Sequence, residues 1–103
     1  MQLGEVVGTV VATRKDPKLV GLKFLIVRNV DVDLRPLGSH AVAVDSVGAG
    51  PGDVVLHVAG SSARMTEATH ERPVDAVIMA IVDAVDVDGI TTYEKHRART
   101  QVG

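Results

Sequence analysis

The chain has 103 residues, of which 46% are hydrophobic and 23% are charged, a composition typical of one small globular domain. Its formal net charge is −2, whereas proteins that bind nucleic-acid phosphates or anionic membranes usually carry a strong positive charge. Cysteine is absent, which excludes disulfides, thiolate metal sites and thiol catalysis, and the longest apolar run, Ala76 to Val82, is too short to cross a bilayer.

The dominant pattern along the chain is a series of short β-branched runs separated by Gly, Pro and Asp turn signals, which predicts a mainly β protein. Five strands are expected, over Val6–Thr13, Leu22–Val30, His40–Val47, Asp53–Val58 and Asp75–Val87. A short helix is expected from about Ser62 to about Thr69, with Ser61 or Ser62 as its N-terminal cap. Five short strands with one small helix fit a small OB-like β-barrel.

The chain divides into a barrel domain and a tail. Residues 1–88 carry the predicted strands, and the polar, mildly basic residues 89–103 are expected to form an arm or to be disordered. The N-terminus, MQLGEVVG, has no basic region leading into an apolar core, so no signal peptide is visible and a cytosolic protein is expected.

Two of the predicted strands are apolar on both faces, at residues 24–27 and 77–82. An ordinary solvated antiparallel strand alternates apolar with polar residues. The outer faces of these two strands are therefore expected to be covered, either by a neighbouring subunit or by a loop of the same chain.

Two runs of small residues are candidates for functional sites. The loop Gly48, Ala49, Gly50, Pro51 and Gly52 fails as a dinucleotide site because the sixth fingerprint position is Asp53, and it fails as a P-loop because no Lys-Ser/Thr pair follows. Two interpretations remain: a flexible hairpin turn, or backbones crowding around a symmetry axis where side chains would not fit. The same alternatives apply to Gly60, Ser61 and Ser62.

No catalytic or cofactor constellation is visible. The four histidines, at positions 40, 57, 70 and 96, lack metal-ligand spacing, and His57 is expected at the surface or at an interface. The serines at 61 and 62 lie outside any nucleophile-elbow motif. The sequence therefore predicts a protein that is not an enzyme and that uses no metal or cofactor.

Asp83 is the most informative charged residue. Continuing the register of Val85 and Val87 backwards places it on the apolar face with Ile81 and Met79, where a carboxylate needs a partner. Arg14 and Arg64 are the candidate partners, within the subunit or across an interface. The alternative is a bulge after Val82 that turns Asp83 outward.

Three stretches together resemble the EutN/CcmL family, the pentameric vertex proteins of carboxysomes and metabolic microcompartments. They are VVGTVVATRKDPKLVGLKFLIV (Val6 to Val27), VAVDSVGAGPGDVVLHVAGSSAR (Val42 to Arg64) and RPVDAVIMAIVDAVDV (Arg72 to Val87). The resemblance implies a five-stranded OB-like barrel that assembles as a cyclic homo-pentamer with a narrow axial channel. It also implies a place in a microcompartment shell, where five-fold units close the corners and hexameric shell proteins of an unrelated fold form the facets.

By this resemblance, Gly48 to Gly52 and Gly60 to Ser62 are the positions to place near the axis, and which of them lines the opening stays open. Arg64 and Asp83 match positions where the family usually has the same residue. Pro51 and Ala80 depart from the small aliphatic residue and the glycine expected there.

The alternative function is an OB-type module that binds single-stranded nucleic acid. Such modules use stacking aromatic residues and a basic groove. The chain has only Phe24 and Tyr93 as aromatic residues, and the basic tail residues Lys95, Arg97 and Arg99 are the one feature in favour. We therefore expect no nucleic-acid partner and no membrane partner.

Overall fold

The structure, a computed structural model, describes residues 1–96. Over that range five strands close a barrel: β1 (Gln2–Val10), β2 (Phe24–Val30), β3 (Pro36–Asp45), β4 (Val54–Ala59) and β5 (Ala76–Ile81). Their order around the barrel is β1–β2–β3–β5–β4. The β3–β5 contact is parallel and short, whereas the other contacts are antiparallel. The predicted mainly β, OB-like barrel is confirmed.

Two further strands form a hairpin beside the barrel, β6 (Ala84–Val87) and β7 (Ile90–Glu94). Its two-residue turn consists of Asp88 and Gly89, which have φ angles of +52° and +78°. Positive φ at both positions is what a type I′ turn needs, and Asp-Gly is one of the sequences that supply it. The predicted tail thus begins inside this turn, and residues 97–103 of that tail, with Arg97 and Arg99, lie outside the described residues.

The short helix predicted from about Ser62 to about Thr69 is present, but its predicted bounds are wrong. The chain forms a 3₁₀ helix at Gly60–Arg64, whose N-cap is Ala59 and which has no side-chain cap. The Thr69 hydroxyl donates to the carbonyl oxygen of Ala63, and the Thr69 amide donates to Thr66 Oγ1. Such threonine bonds to nearby backbone compete with helical hydrogen bonds, so the helix ends early.

Another 3₁₀ helix, Pro17–Leu19, lies in the β1–β2 connection and is capped by the Asp16 side chain. Throughout residues 1–96, the helices fall short of the length and apolar character that crossing a membrane would take.

Two groups of buried side chains hold the barrel together. The first fills its interior and includes Val6, Leu25, Val27, Ala43, Ala49, Val55, Ala76 and Ile78. The second lies outside the sheet, where Val44, Ala63 and Val77 pack with the partly buried Leu22, Phe24, Val58 and Val74. Ala63 and Val74 belong to the β4–β5 connection, so a loop of the same chain covers part of the apolar outer face.

Candidate assembly surfaces

The loop Gly48–Gly52 is braced on one side by Asp45, the last residue of β3. Asp45 Oδ1 accepts the backbone N–H groups of Val47, Gly48 and Ala49, each at 3.1 Å. Lys23 Nζ lies 3.8 Å from Asp45 Oδ2 and donates to the carbonyl oxygen of Ala49 at 3.1 Å. One carboxylate therefore fixes the direction in which the chain leaves β3.

The other side of the loop is braced by Asp53, the residue before β4. Its Oδ2 accepts the Gly50 N–H at 2.9 Å, and its own N–H donates to the Gly50 carbonyl at 3.1 Å. Lys95 Nζ, beyond β7, lies 3.6 Å from Asp53 Oδ1, and the Gly52 N–H donates to the Val6 carbonyl at 2.8 Å. Side-chain contacts therefore hold the loop at both of its ends.

The backbone conformation explains two of the glycines in this loop but not the third. Gly48 and Gly52 have φ angles of +81° and +91°, so the turn itself calls for glycine. Gly50 lies outside the left-handed region, and a Cβ built on it would meet no atom within 4 Å. The isolated chain therefore gives no steric or conformational reason for the missing side chain at Gly50. Ala49 is buried, whereas Pro51 is exposed.

The second run of small residues forms the 3₁₀ helix Gly60–Arg64. Gly60 has a φ of +72°, and its N–H donates to the Asp75 carbonyl at 2.7 Å. Ala63 points inward and is fully buried, while Ser61 and Ser62 are exposed. The two serines thus lie on the surface without acting as helix caps, which corrects the capping role expected for them.

Asp83 does not lie on a continuous apolar strand. The chain leaves the strand conformation at Val82 and Asp83, between β5 and β6, and the Asp83 side chain is exposed. Arg14 and Arg64 are exposed as well, and no ion pair joins either of them to Asp83 within residues 1–96. The expected burial of Asp83 within one chain is wrong, and the outward turn after Val82 is what the structure shows.

His57 is buried, with 3% of its surface exposed, and the expectation of a surface position is wrong. It shares a strand face with Val55, as its spacing predicts, but that face points into the barrel. Gly4 of β1 pairs with Val55, and a Cβ on Gly4 would lie 3.4 Å from His57 Cδ2. Gly4 lies diagonally across from His57, and its lack of a side chain makes room for the imidazole ring. Within residues 1–96, no three His, Cys, Asp or Glu side chains are arranged to hold a metal ion.

The outer face of β2 and β3 keeps a shallow apolar groove of about 190 Å³. Phe24 lines it but also packs into the outer cluster and is half-buried, so its ring is not free to stack on a base. Val42, which lines this groove, is 53% exposed. The β4–β5 connection therefore covers the outer face only in part.

Comparison with known proteins extends over nearly the whole chain. Residues 1–83 match the family model described as ethanolamine utilisation protein EutN/carboxysome. The carboxysome shell vertex protein CcmL of Gloeobacter violaceus is 46% identical over 95 residues, 92% of this chain and 95% of that protein. The bacterial microcompartment shell vertex protein GrpN of Rhodospirillum rubrum is 45% identical over 86 residues, 84% of this chain and 97% of that protein.

Solved structures agree with the barrel. That of Gloeobacter violaceus CcmL superposes with a TM-score of 0.89, at 46% identity, and covers 93% of this chain and 99% of that one. The pentameric microcompartment shell protein GrpN of Rhodospirillum rubrum superposes with a TM-score of 0.77, at 46% identity, and covers 84% of this chain and 99% of that one.

Proposed function

The chain belongs to the EutN/CcmL family, and from that membership we propose that it is a pentameric vertex protein of a bacterial microcompartment shell. The observation that carries the proposal is the shared barrel, which agrees in sequence and in fold with shell vertex proteins over almost the full length. One of these relatives is a pentamer. The role is structural, and the shell is where the protein acts.

The mechanism is geometric. A ring of identical subunits needs a heterologous interface whose rotation closes on itself. A five-fold ring introduces curvature that a flat layer of hexagonal units lacks, so pentamers close the corners of a polyhedral container. The partners in this arrangement are four further copies of the chain in the ring and hexameric shell proteins around it.

Native mass spectrometry of the purified protein tests the assembly. We expect a dominant species with five times the 10.8 kDa mass of one chain. The ring should persist at micromolar concentration, since a vertex must remain closed within the shell. A monomer or a dimer as the main species at that concentration would contradict the proposal.

Within the ring, the two runs of small residues are the candidates for the axial opening. Gly50 supports the first run, because the braced loop holds it at a position where one chain leaves open space beside it. Ser61 and Ser62 support the second run, since both are exposed on a short 3₁₀ helix. Either run would allow close approach of several copies around an axis.

The exposed carboxylate of Asp83 is proposed to pair with Arg64 or Arg14 of a neighbouring copy. Replacing Asp83 with Ala should leave the fold of one chain unchanged. Its side chain is exposed and, within residues 1–96, forms no ion pair with Arg64 or Arg14 of the same chain. The ring should weaken, since removing one member of an interface charge pair leaves the other unpaired. We expect the concentration at which the pentamer dissociates to rise at least about tenfold, measured by native mass spectrometry on dilution.

The matched control is Asp86→Ala, which removes another exposed carboxylate from the same hairpin, one that already accepts the Thr91 hydroxyl at 2.7 Å. It should leave the ring unchanged. Double variants identify the partner: adding Arg64→Ala or Arg14→Ala to Asp83→Ala should cause no further loss only for the arginine that pairs with it. An unchanged ring in Asp83→Ala would remove the charge pair from the interface.

A further inference from the structure

A short chain of polar side chains at one end of the barrel runs from the buried His57 through the half-buried Asn29 to the exposed Ser39. The His57 Nε2 atom lies 2.8 Å from Asn29 Oδ1, and Asn29 Nδ2 donates to Ser39 Oγ at 3.0 Å. Register pairs His57 with Gln2 of β1 and with Ile78 of β5. Three strands therefore hold the imidazole, and its hydrogen bond reaches a residue of β2.

We assign the hydrogen of the neutral imidazole to Nε2, because Asn29 presents its amide oxygen to the ring and an amide oxygen only accepts. Nδ1 is then the unprotonated nitrogen. Nδ1 is buried and has no hydrogen-bond partner among residues 1–96. A proton added there would create a buried N–H without an acceptor, together with a buried positive charge.

The surroundings offer no compensation for that charge. The residues that face His57 from β1, β2 and β5 are Gln2, Gly4, Asn29 and Ile78, all uncharged. Glu5 pairs with Arg28 at 2.6 Å. Glu5 follows Gly4 in sequence and Arg28 precedes Asn29, so alternation places both on the opposite face of the sheet. Burial lowers the pKa of His57, and the positive α-amino group of Met1 lowers it further.

We propose that His57 makes the barrel acid-sensitive: proton uptake at Nδ1 places an N–H without an acceptor and a positive charge inside this end of the barrel, and opens it. In the unfolded chain, histidine takes up a proton below about pH 6.5. In the folded barrel, His57 stays neutral to lower pH. Stability contributed by this group is therefore complete above about pH 6.5 and is lost as the pH falls below it.

Urea unfolding at fixed protein concentration, from pH 8 to pH 5, tests the proposal on the intact protein. Below about pH 6.5 the unfolding equilibrium constant should rise by up to about tenfold per pH unit through this one group. His57→Gln keeps an amide N–H that can reach Asn29 and cannot titrate, so this part of the pH dependence should disappear. His70→Gln, which removes an imidazole that is 74% exposed, should keep it. Equal pH dependence in His57→Gln and in the unmodified protein would overturn the proposal.

A second measurement needs no variant at this position. In nitrogen-detected NMR spectra of the unmodified protein, we expect His57 in the tautomer with hydrogen on Nε2, and we expect this signal to persist well below pH 6.5. A His57 that titrates near its ordinary value of about 6.5, or that carries its hydrogen on Nδ1, would overturn the proposal even if His57→Gln failed to fold. These effects belong to the barrel of each subunit, so they are expected whether or not the protein forms a pentamer.

Discussion

Replacing Gly4 with Ala should destabilise the barrel by about 3 kcal/mol, the upper part of the range for overpacked cores. A Cβ at Gly4 would overlap Val27 Cγ1 and would lie 3.1 Å from the carbonyl oxygen of Arg28. Val27 is fully buried and β-branched, so its methyl group has no other rotamer to move into without disturbing the core. The backbone of β2 would have to shift instead. His57 Cδ2, 3.4 Å away, prevents relief on the other side.

Gly8 provides the control on the same strand. A Cβ there would lie 3.4 Å from Ile26 Cδ1, an ordinary contact with the end of a half-buried side chain. Gly8→Ala should therefore change the free energy of unfolding by less than about 1 kcal/mol. Urea denaturation of both variants at equal protein concentration gives the comparison. Equal stability of Gly4→Ala and Gly8→Ala would show that β1 and β2 are less closely packed than the structure has them.

Much of the barrel could be predicted because its signals are local. Short β-branched runs bounded by Gly, Pro and Asp indicate each of the five barrel strands, although β1 and β3 both begin four residues before their predicted starts. The single strand expected over Asp75–Val87 is wrong: the chain breaks at Val82 and Asp83, where Asp83 interrupts the apolar run and a bulge was the alternative. The Asp88-Gly89 turn did carry a signal, since this dipeptide favours a two-residue hairpin.

The remaining differences come from long-range contacts. His57 was placed on the correct strand face, but which face points inward depends on Gly4, which is distant in sequence. The glycines of the loop after β3 were visible in the sequence, whereas its bracing by Lys23 and Lys95 joins residues from opposite ends of the chain. Such pairs are formed by the fold and leave no local pattern.

Gly50→Leu should abolish the pentamer while leaving the fold of the subunit intact. In one chain, a Cβ at Gly50 meets open space and φ there lies outside the left-handed region, so the free energy of unfolding of the subunit should change by less than about 0.5 kcal/mol. If the loop surrounds the five-fold axis, however, five leucine side chains would have to occupy one narrow opening. Because Asp45 and Asp53 hold the loop at both ends, it cannot retreat to make room.

Ser61→Leu is the matched variant in the competing run, at an exposed position where one chain also has no need of a small residue. Native mass spectrometry reports the ring, and far-ultraviolet circular dichroism reports the fold. Loss of the pentamer only in Gly50→Leu places the Gly48–Gly52 loop at the axis, and loss only in Ser61→Leu places the Gly60–Ser62 run there. Pentamers in both variants would show that neither run is crowded, and open space at Gly50 would then need another explanation. Both substitutions add the same side chain at a position where one subunit requires no small residue, so a difference between them reports contacts within the pentamer.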